Sequence, residues 1–105
     1  MNESQFTTQV DQTFRAIEDA LEAANADIDF DQQAGVLTLL FDDGRKLIFS
    51  RQAPVKQLWL AAPTGGFHFN WVDGHWQLAD SSTTLTQKVN ELASLISGES
   101  ISLEF

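Results

Sequence analysis

Six carboxylates fall within fourteen positions of one stretch, EDALEAANADIDFD: Glu18, Asp19, Glu22, Asp27, Asp29 and Asp31. No lysine or arginine interrupts them. Carboxylate oxygens are hard ligands, so the chemistry open to such a run is attraction of hard cations, iron or a basic protein surface. A caged divalent site gathers several oxygens around one point, as an EF-hand loop does with an interior glycine and a closing bidentate Glu. DIDFDQQAG spaces its acids at alternate positions but lacks that Gly and Glu, and on a strand such side chains stand in a row. A divalent ion about 5 Å from one carboxylate gains about 1.7 kcal/mol in water. Two or three such contacts give about 3–5 kcal/mol, which corresponds to binding near the millimolar level or slightly tighter. On these residues alone the run reads as the solvated face of a small acidic domain, with a loose, unselective cation site as the competing reading.

Other chemistry-bearing residues have sufficient structural roles. No HExxH, Walker A loop or GxGxxG occurs, and Gly65-Gly66 suits a turn better than a phosphate cradle. His68 and His75 belong to neighbouring predicted strands and read as surface polar residues. Ser81, Ser82, Thr83 and Thr84 serve as a turn and a helix cap. Without cysteine there is no disulfide, thiolate zinc site, Cys-ligated iron–sulfur cluster or Cys nucleophile. No catalytic constellation emerges, and the chain reads as a non-enzyme.

Three kinds of element must position these groups. Phe6, Val10, Phe14, Ile17, Leu21 and Ala24 recur at steps of three and four, the spacing of one helical face. Asp11, Arg15, Glu18 and Glu22 follow the same rhythm on another face. From Ile28 the period becomes two, so Ile28 and Phe30 point one way while Asp27, Asp29 and Asp31 point the other. Outward acids suit an edge strand that must avoid pairing with other chains. GVLTLLF and KLIFS joined by DDGR, QLWLA and GGFHFNW joined through Pro63 to Gly66, and HWQLA after Asp73-Gly74 extend this to a six-strand antiparallel meander. Leu85, Val89, Leu92 and Ile96 restore the helical period. Thr84 with Gln87 matches a capping box, and Gly98 a C-terminal cap. The tail ESISLEF alternates again, with Ile101, Leu103 and Phe105 expected on the core. The fold class is α+β, two helices on one face of a six-stranded antiparallel sheet. Its other face meets solvent, which turns Trp59, His68 and Asn70 outward. An outward Trp rimmed by polar groups is either a docking anchor or a ring lying over the backbone.

Length and charge narrow the partners. A chain of 105 residues is one domain, 1–105, with 43% hydrophobic residues for one core. The net charge is −9 and uneven: residues 1–31 carry eight acids against Arg15 alone, residues 32–105 seven acids against five bases. Such a field repels phosphate backbones, so no nucleic-acid partner is expected. MNESQFTTQV lacks the regions of a secretory signal and no apolar run reaches 18 residues, so the expectation is a soluble cytoplasmic protein without a membrane span.

Taken together, the acidic helix running into an acidic strand, the RQxPxxQxWLA run of Arg51, Gln52, Pro54, Gln57, Trp59, Leu60 and Ala61, the GGFHF that follows and the closing helix after WQLADSSTTL resemble the frataxin family, its bacterial group in particular. The resemblance spans essentially the whole chain. It implies an α–β–α order and a role in iron–sulfur cluster assembly, with weak binding of Fe(II) and Fe(III) on an acidic ridge. It further implies association with a cysteine desulfurase and its scaffold protein, as a modulator of the desulfurase. Carried over by position, the iron-binding ridge would be Glu18, Asp19, Glu22, Asp27, Asp29 and Asp31, extended by Asp11 and Glu3. Glu18, Glu22, Asp29, Asp31, Trp59 and Gln57 would contact the partner. Ala23, Ala24 and Ala26 stand where bacterial frataxins often have further acids. A monomer is implied, with iron-driven oligomers left open, and exposed carboxylates would also accept other divalent cations in vitro. The competing readings are an acidic adaptor whose metal binding is incidental, and a small ferroxidase or iron store.

Overall fold

A computed structural model describes all residues, 1–105. The chain folds into α1 (Glu3–Ala23), β1 (Ile28–Gln33), β2 (Val36–Phe41), β3 (Lys46–Gln52), β4 (Gln57–Ala62), β5 (Gly65–Val72), β6 (His75–Leu78) and α2 (Leu85–Ser97), with a single 3₁₀ turn at Ala53–Val55. The six strands pair in sequence order and every pair is antiparallel.

The helix α1 starts where two side chains satisfy free backbone N–H groups. Gln5 N–H donates to Asn2 Oδ1 at 2.8 Å and Asn2 N–H donates to Gln5 Oε1 at 2.9 Å, a capping box one turn ahead of the first apolar residue. Phe6, Val10, Phe14, Ile17 and Leu21 are buried as the period requires, and Ala20 joins them. Ala24 does not: the helix ends at Ala23 and Ala24 is its exposed C-terminal cap. The second capping box is present at Thr84 and Gln87, and Gly98 closes α2 in the left-handed conformation.

Both helices cover one face of the sheet. Phe14 meets Phe49 of β3 edge-on at 6.4 Å, Phe6 meets Trp76 of β6 at 6.1 Å, and Lys88 of α2 lies 4.9 Å above the ring of Phe67. Leu37, Leu39, Leu47, Phe49, Leu58, Leu60 and Phe69 supply the sheet's share of the core. No polar side chain is buried.

The hairpins solve the same problem in different ways. Asp73-Gly74 has positive φ at both residues, the type I′ turn that a two-residue Asp-Gly loop favours. At Asp43-Gly44 only Gly44 does, and Gly44 N–H bonds back to the Phe41 carbonyl at 2.9 Å. The β1–β2 turn places Ala34 in the left-handed region normally left to Asn or Gly, with φ at 52° beside Gly35 at 80°. Gly65 and Gly66 lie within β5, opposite Ala62 and Ala61, leaving Pro63 and Thr64 as the turn.

The tail docks without becoming a strand. Thr86, Asn90 and Ser94, one turn apart on α2, stand in for a strand edge. Asn90 bonds both the N–H and the carbonyl of Leu103, at 2.8 and 3.0 Å. Ser94 does the same for Ile101, and the Thr86 hydroxyl donates to the Phe105 carbonyl at 2.8 Å. Leu103 is buried, with Ile101 and Phe105 packed against the core.

Candidate functional site

The acids expected to form a ridge lie on two adjoining elements. Glu18, Asp19 and Glu22 occupy the last turns of α1, with Glu18 half-buried and the other two exposed. Asp27 precedes β1, the edge strand of the sheet. Ile28 and Phe30 turn toward the core, so Asp29 and Asp31 face solvent from the open side of the sheet. None of these six has a lysine or arginine within ion-pair distance. The ion pairs of the chain are Arg45–Asp43, Arg51–Asp11 and Lys88–Glu91.

Asp11 differs from the six. Its carboxylate lies 3.6 Å from the Arg51 guanidinium, which reaches α1 from the end of β3. Gly35 makes room for that side chain, since a Cβ there would sit 2.6 Å from Arg51 Nε.

Asp42 and Glu99, two acids that sequence reasoning left out, lie beside the ridge. Phe41 pairs with Ile28, so Asp42, the next residue, comes beside Asp27. A hydrogen bond to Asp27 raises the Asp42 carboxyl above its ordinary value. The Asp27 charge adds to this, followed by desolvation and the charges of Asp29 and Glu99. Asp27, Asp42, Asp43 and Glu99 border one hollow of about 150 Å³, with Ile28, Phe41 and Ile96 as its apolar lining. The register of the first hairpin is the signal that places Asp42 there. Asp43 goes the other way: hydrogen bonds from the Arg45 backbone and guanidinium hold its carboxyl below the ordinary range.

These carboxylates flank one another without closing a cage. No three His, Asp or Glu side chains gather around a point that could hold a metal ion. What the ridge can do is concentrate cations or a basic surface over a broad area, with weak attachment at each point.

The second feature is on the same open sheet face, three strands away. Trp59 of β4 is half-buried and stacks on His68 of β5, ring centroids 4.3 Å apart and planes 11° apart. Its indole N–H donates to Gln57 Oε1 at 2.9 Å, and Gln57 Nε2 donates to Asn70 Oδ1 at 3.2 Å. His75 takes no part in this cluster. It lies opposite Val72, four residues and about 13 Å along the strand from His68, with Gln77 Oε1 3.3 Å from its Nε2.

A two-layer α+β fold that carries an unpaired acidic ridge beside an open sheet face is one class of small domain, and the comparisons with known proteins place the chain within it. Residues 1–99 match the model of the frataxin-like domain. The chain is 37% identical over 103 residues to the iron-sulfur cluster assembly protein CyaY of Paraburkholderia phymatum, covering 98% of each. It is 48% identical over 84 residues to the protein of the same name from Ectopseudomonas mendocina, 78% of this chain and 76% of that one. Among solved structures, the frataxin of Psychromonas ingrahamii superposes with a TM-score of 0.94 at 33% identity over the full length of both chains. A trimeric yeast frataxin from Saccharomyces cerevisiae, in a ferrous complex, superposes with a TM-score of 0.69 at 27% identity, over 94% of this chain and 88% of that one. The chain belongs to the frataxin family, whose bacterial CyaY relatives are named for iron–sulfur cluster assembly.

Proposed function

We propose that this protein is a non-catalytic component of iron–sulfur cluster assembly in the cytoplasm. It binds Fe(II) and Fe(III) weakly on the ridge and modulates a cysteine desulfurase–scaffold complex. The observation that carries the reading is the set of six carboxylates, Glu18, Asp19, Glu22, Asp27, Asp29 and Asp31, without one cationic side chain to neutralise them. Left unpaired, they attract iron and also the basic surface of a partner. Asp11, already facing Arg51, contributes less. Glu18, Glu22, Asp29 and Asp31 are the acids assigned to the partner contact, with Trp59 and Gln57 three strands from β1 on the open sheet face. The yeast frataxin solved in a ferrous complex supports iron as the metal.

Anaerobic Fe(II) titration followed by amide NMR tests the metal half. Resonances between residues 11 and 31 should broaden with a Kd near the millimolar level or slightly below. Pull-down from a cytoplasmic extract tests the other half, and should recover the desulfurase. A second reading, an acidic adaptor whose metal binding is incidental, draws support from the absence of converging carboxylates. It replaces the first if the ridge resonances ignore iron while the desulfurase is still recovered.

A further inference from the structure

Two Asp-Gly pairs turn hairpins in this chain, Asp43-Gly44 between β2 and β3 and Asp73-Gly74 between β5 and β6. No other aspartate precedes a glycine, and no Asn-Gly pair occurs. An aspartate before glycine is open to isomerisation because glycine puts no side chain beside the attacking backbone nitrogen. The reaction needs a carboxyl free to turn back on the chain, a following N–H free of other bonds, and a backbone loose enough to bring them together.

The two pairs differ in all three respects. Both carboxylate oxygens of Asp43 are held, Oδ1 by the Arg45 backbone N–H at 2.9 Å and Oδ2 by the Arg45 guanidinium at 2.6 Å. Those bonds keep the carboxyl ionised, and an ionised carboxylate has no water to lose. Arg45 is itself anchored, donating to the Ile96 carbonyl at 2.9 Å. The Gly44 N–H is spent on the Phe41 carbonyl at 2.9 Å, and the hairpin joins two interior strands. Asp73, in contrast, is exposed, and its carboxylate takes part in no hydrogen bond or ion pair. The Gly74 N–H donates to no carbonyl. β6 is a four-residue edge strand, so this hairpin opens locally at small cost.

We propose that Asp73 is a site of spontaneous isoaspartate formation, and that Arg45 holds Asp43 against the same reaction. The Gly74 nitrogen attacks Cγ of the protonated Asp73 carboxyl and gives up its proton. A carboxyl oxygen leaves as water, closing a five-membered succinimide. Solvent water then opens the ring at either carbonyl. Attack at Cγ restores aspartate. Attack at the α-carbonyl breaks the original C–N link and leaves the chain running through Cγ, with a free α-carboxylate. The new linkage adds one carbon to a two-residue turn whose twist matches the β5–β6 pair. Trp71 and Trp76 face each other in that pair, ring centroids 5.1 Å apart. The disturbance therefore falls on the strand that brings Trp76 against Phe6 and Thr13.

Ageing the purified protein at mildly acidic to neutral pH, folded and in urea, tests the proposal. Trypsin puts the two sites on separate peptides, 16–45 and 57–88. Isoaspartate in each is counted by methyl transfer from S-adenosylmethionine, using a protein isoaspartyl methyltransferase that labels the freed α-carboxylate. In the folded protein it should gather on 57–88 about tenfold faster than on 16–45. In urea the two rates should agree within about twofold, because only the fold tells the sites apart. Arg45→Ala should raise the folded-state rate on 16–45 several-fold and leave 57–88 unchanged; Arg45→Gln replaces it if the shorter side chain unfolds the chain. Amide exchange in β6 should quicken in step with conversion. Equal folded-state rates at the two sites overturn the proposal, as does a folded chain whose Asp73 stays intact while both sites convert in urea. A rate on 16–45 that neither Arg45 variant moves overturns the part assigned to Arg45. Unaltered β6 exchange in converted protein overturns the effect on the strand.

Discussion

The acidic ridge and the Trp59 platform occupy one molecule's open surface and are built on opposite principles. On the ridge, like charges crowd together, and none of the six principal carboxylates meets a base. On the platform no formal charge is needed: stacking and two hydrogen bonds hold each group where it is. A field of unpaired charge acts at a distance and is screened by salt, so it governs how fast a partner arrives. A fixed aromatic acts on contact, so it governs how long the partner stays. Holding like charges together also costs folding energy, whereas the platform's bonds contribute to it.

The largest effect that could break this division is on the platform. Trp59→Ala should weaken desulfurase binding about 100-fold, the size of a single aromatic anchor worth about 2–3 kcal/mol. Most of the loss should appear as faster dissociation in surface plasmon resonance, and it should persist in high salt. The double reversal Glu22→Lys with Asp29→Lys should slow association about tenfold at low ionic strength. That difference should shrink toward nothing at about 0.5 M salt, where charges are screened within a few ångströms. Stability should separate the two regions as well. Gln57→Met should cost about 1–2 kcal/mol in urea unfolding, the net worth of the two hydrogen bonds it breaks. Glu18→Gln, which removes a like-charge i, i+4 pair with Glu22, should add about 0.2–0.5 kcal/mol.

The smallest effect is a pH dependence with a definite sign. Asp42 titrates above its ordinary value because Asp27 shares a hydrogen bond with it and repels its charged form. A carboxyl whose folded pKa is raised binds its proton more readily when folded, so its protonation stabilises the fold as pH falls through that raised value. Asp42→Asn should therefore raise the Tm at neutral pH and remove this increment on acidification. Thermal melts of both forms across the acid range check it.

Much of this was legible in the sequence, and what was not has physical reasons. Strand alternation placed Asp29, Asp31 and Trp59 outward, because a period of two leaves no other choice once one face is apolar. The helical period placed Phe6 to Leu21 correctly and failed only at Ala24, since alanine is nearly indifferent between core and surface. The capping box at Thr84 was readable, and Asn2 with Gln5 obeys the same rule in a less familiar residue pair. The Ala34 turn was not readable, because alanine seldom takes positive φ. Asp42 needed the pairing register as well as the strand pattern to bring it beside Asp27. The Arg51–Asp11 contact and the Trp59–Gln57–Asn70 relay join residues from different elements, which periodicity alone cannot align. Thus the ridge was visible as composition, while the platform became visible only once β3, β4 and β5 were in register.

The division between the two regions stands or falls on one measurement. Association and dissociation rates with the desulfurase should be recorded from about 0.05 to 0.5 M salt for three forms: wild type, the Glu22→Lys/Asp29→Lys variant and Trp59→Ala. The ridge variant should lose association rate and most of its salt dependence with dissociation unchanged. Trp59→Ala should keep the wild-type salt dependence and dissociate faster. Wild-type association that ignores salt, or a ridge variant that binds like wild type at about 0.05 M, contradicts the account.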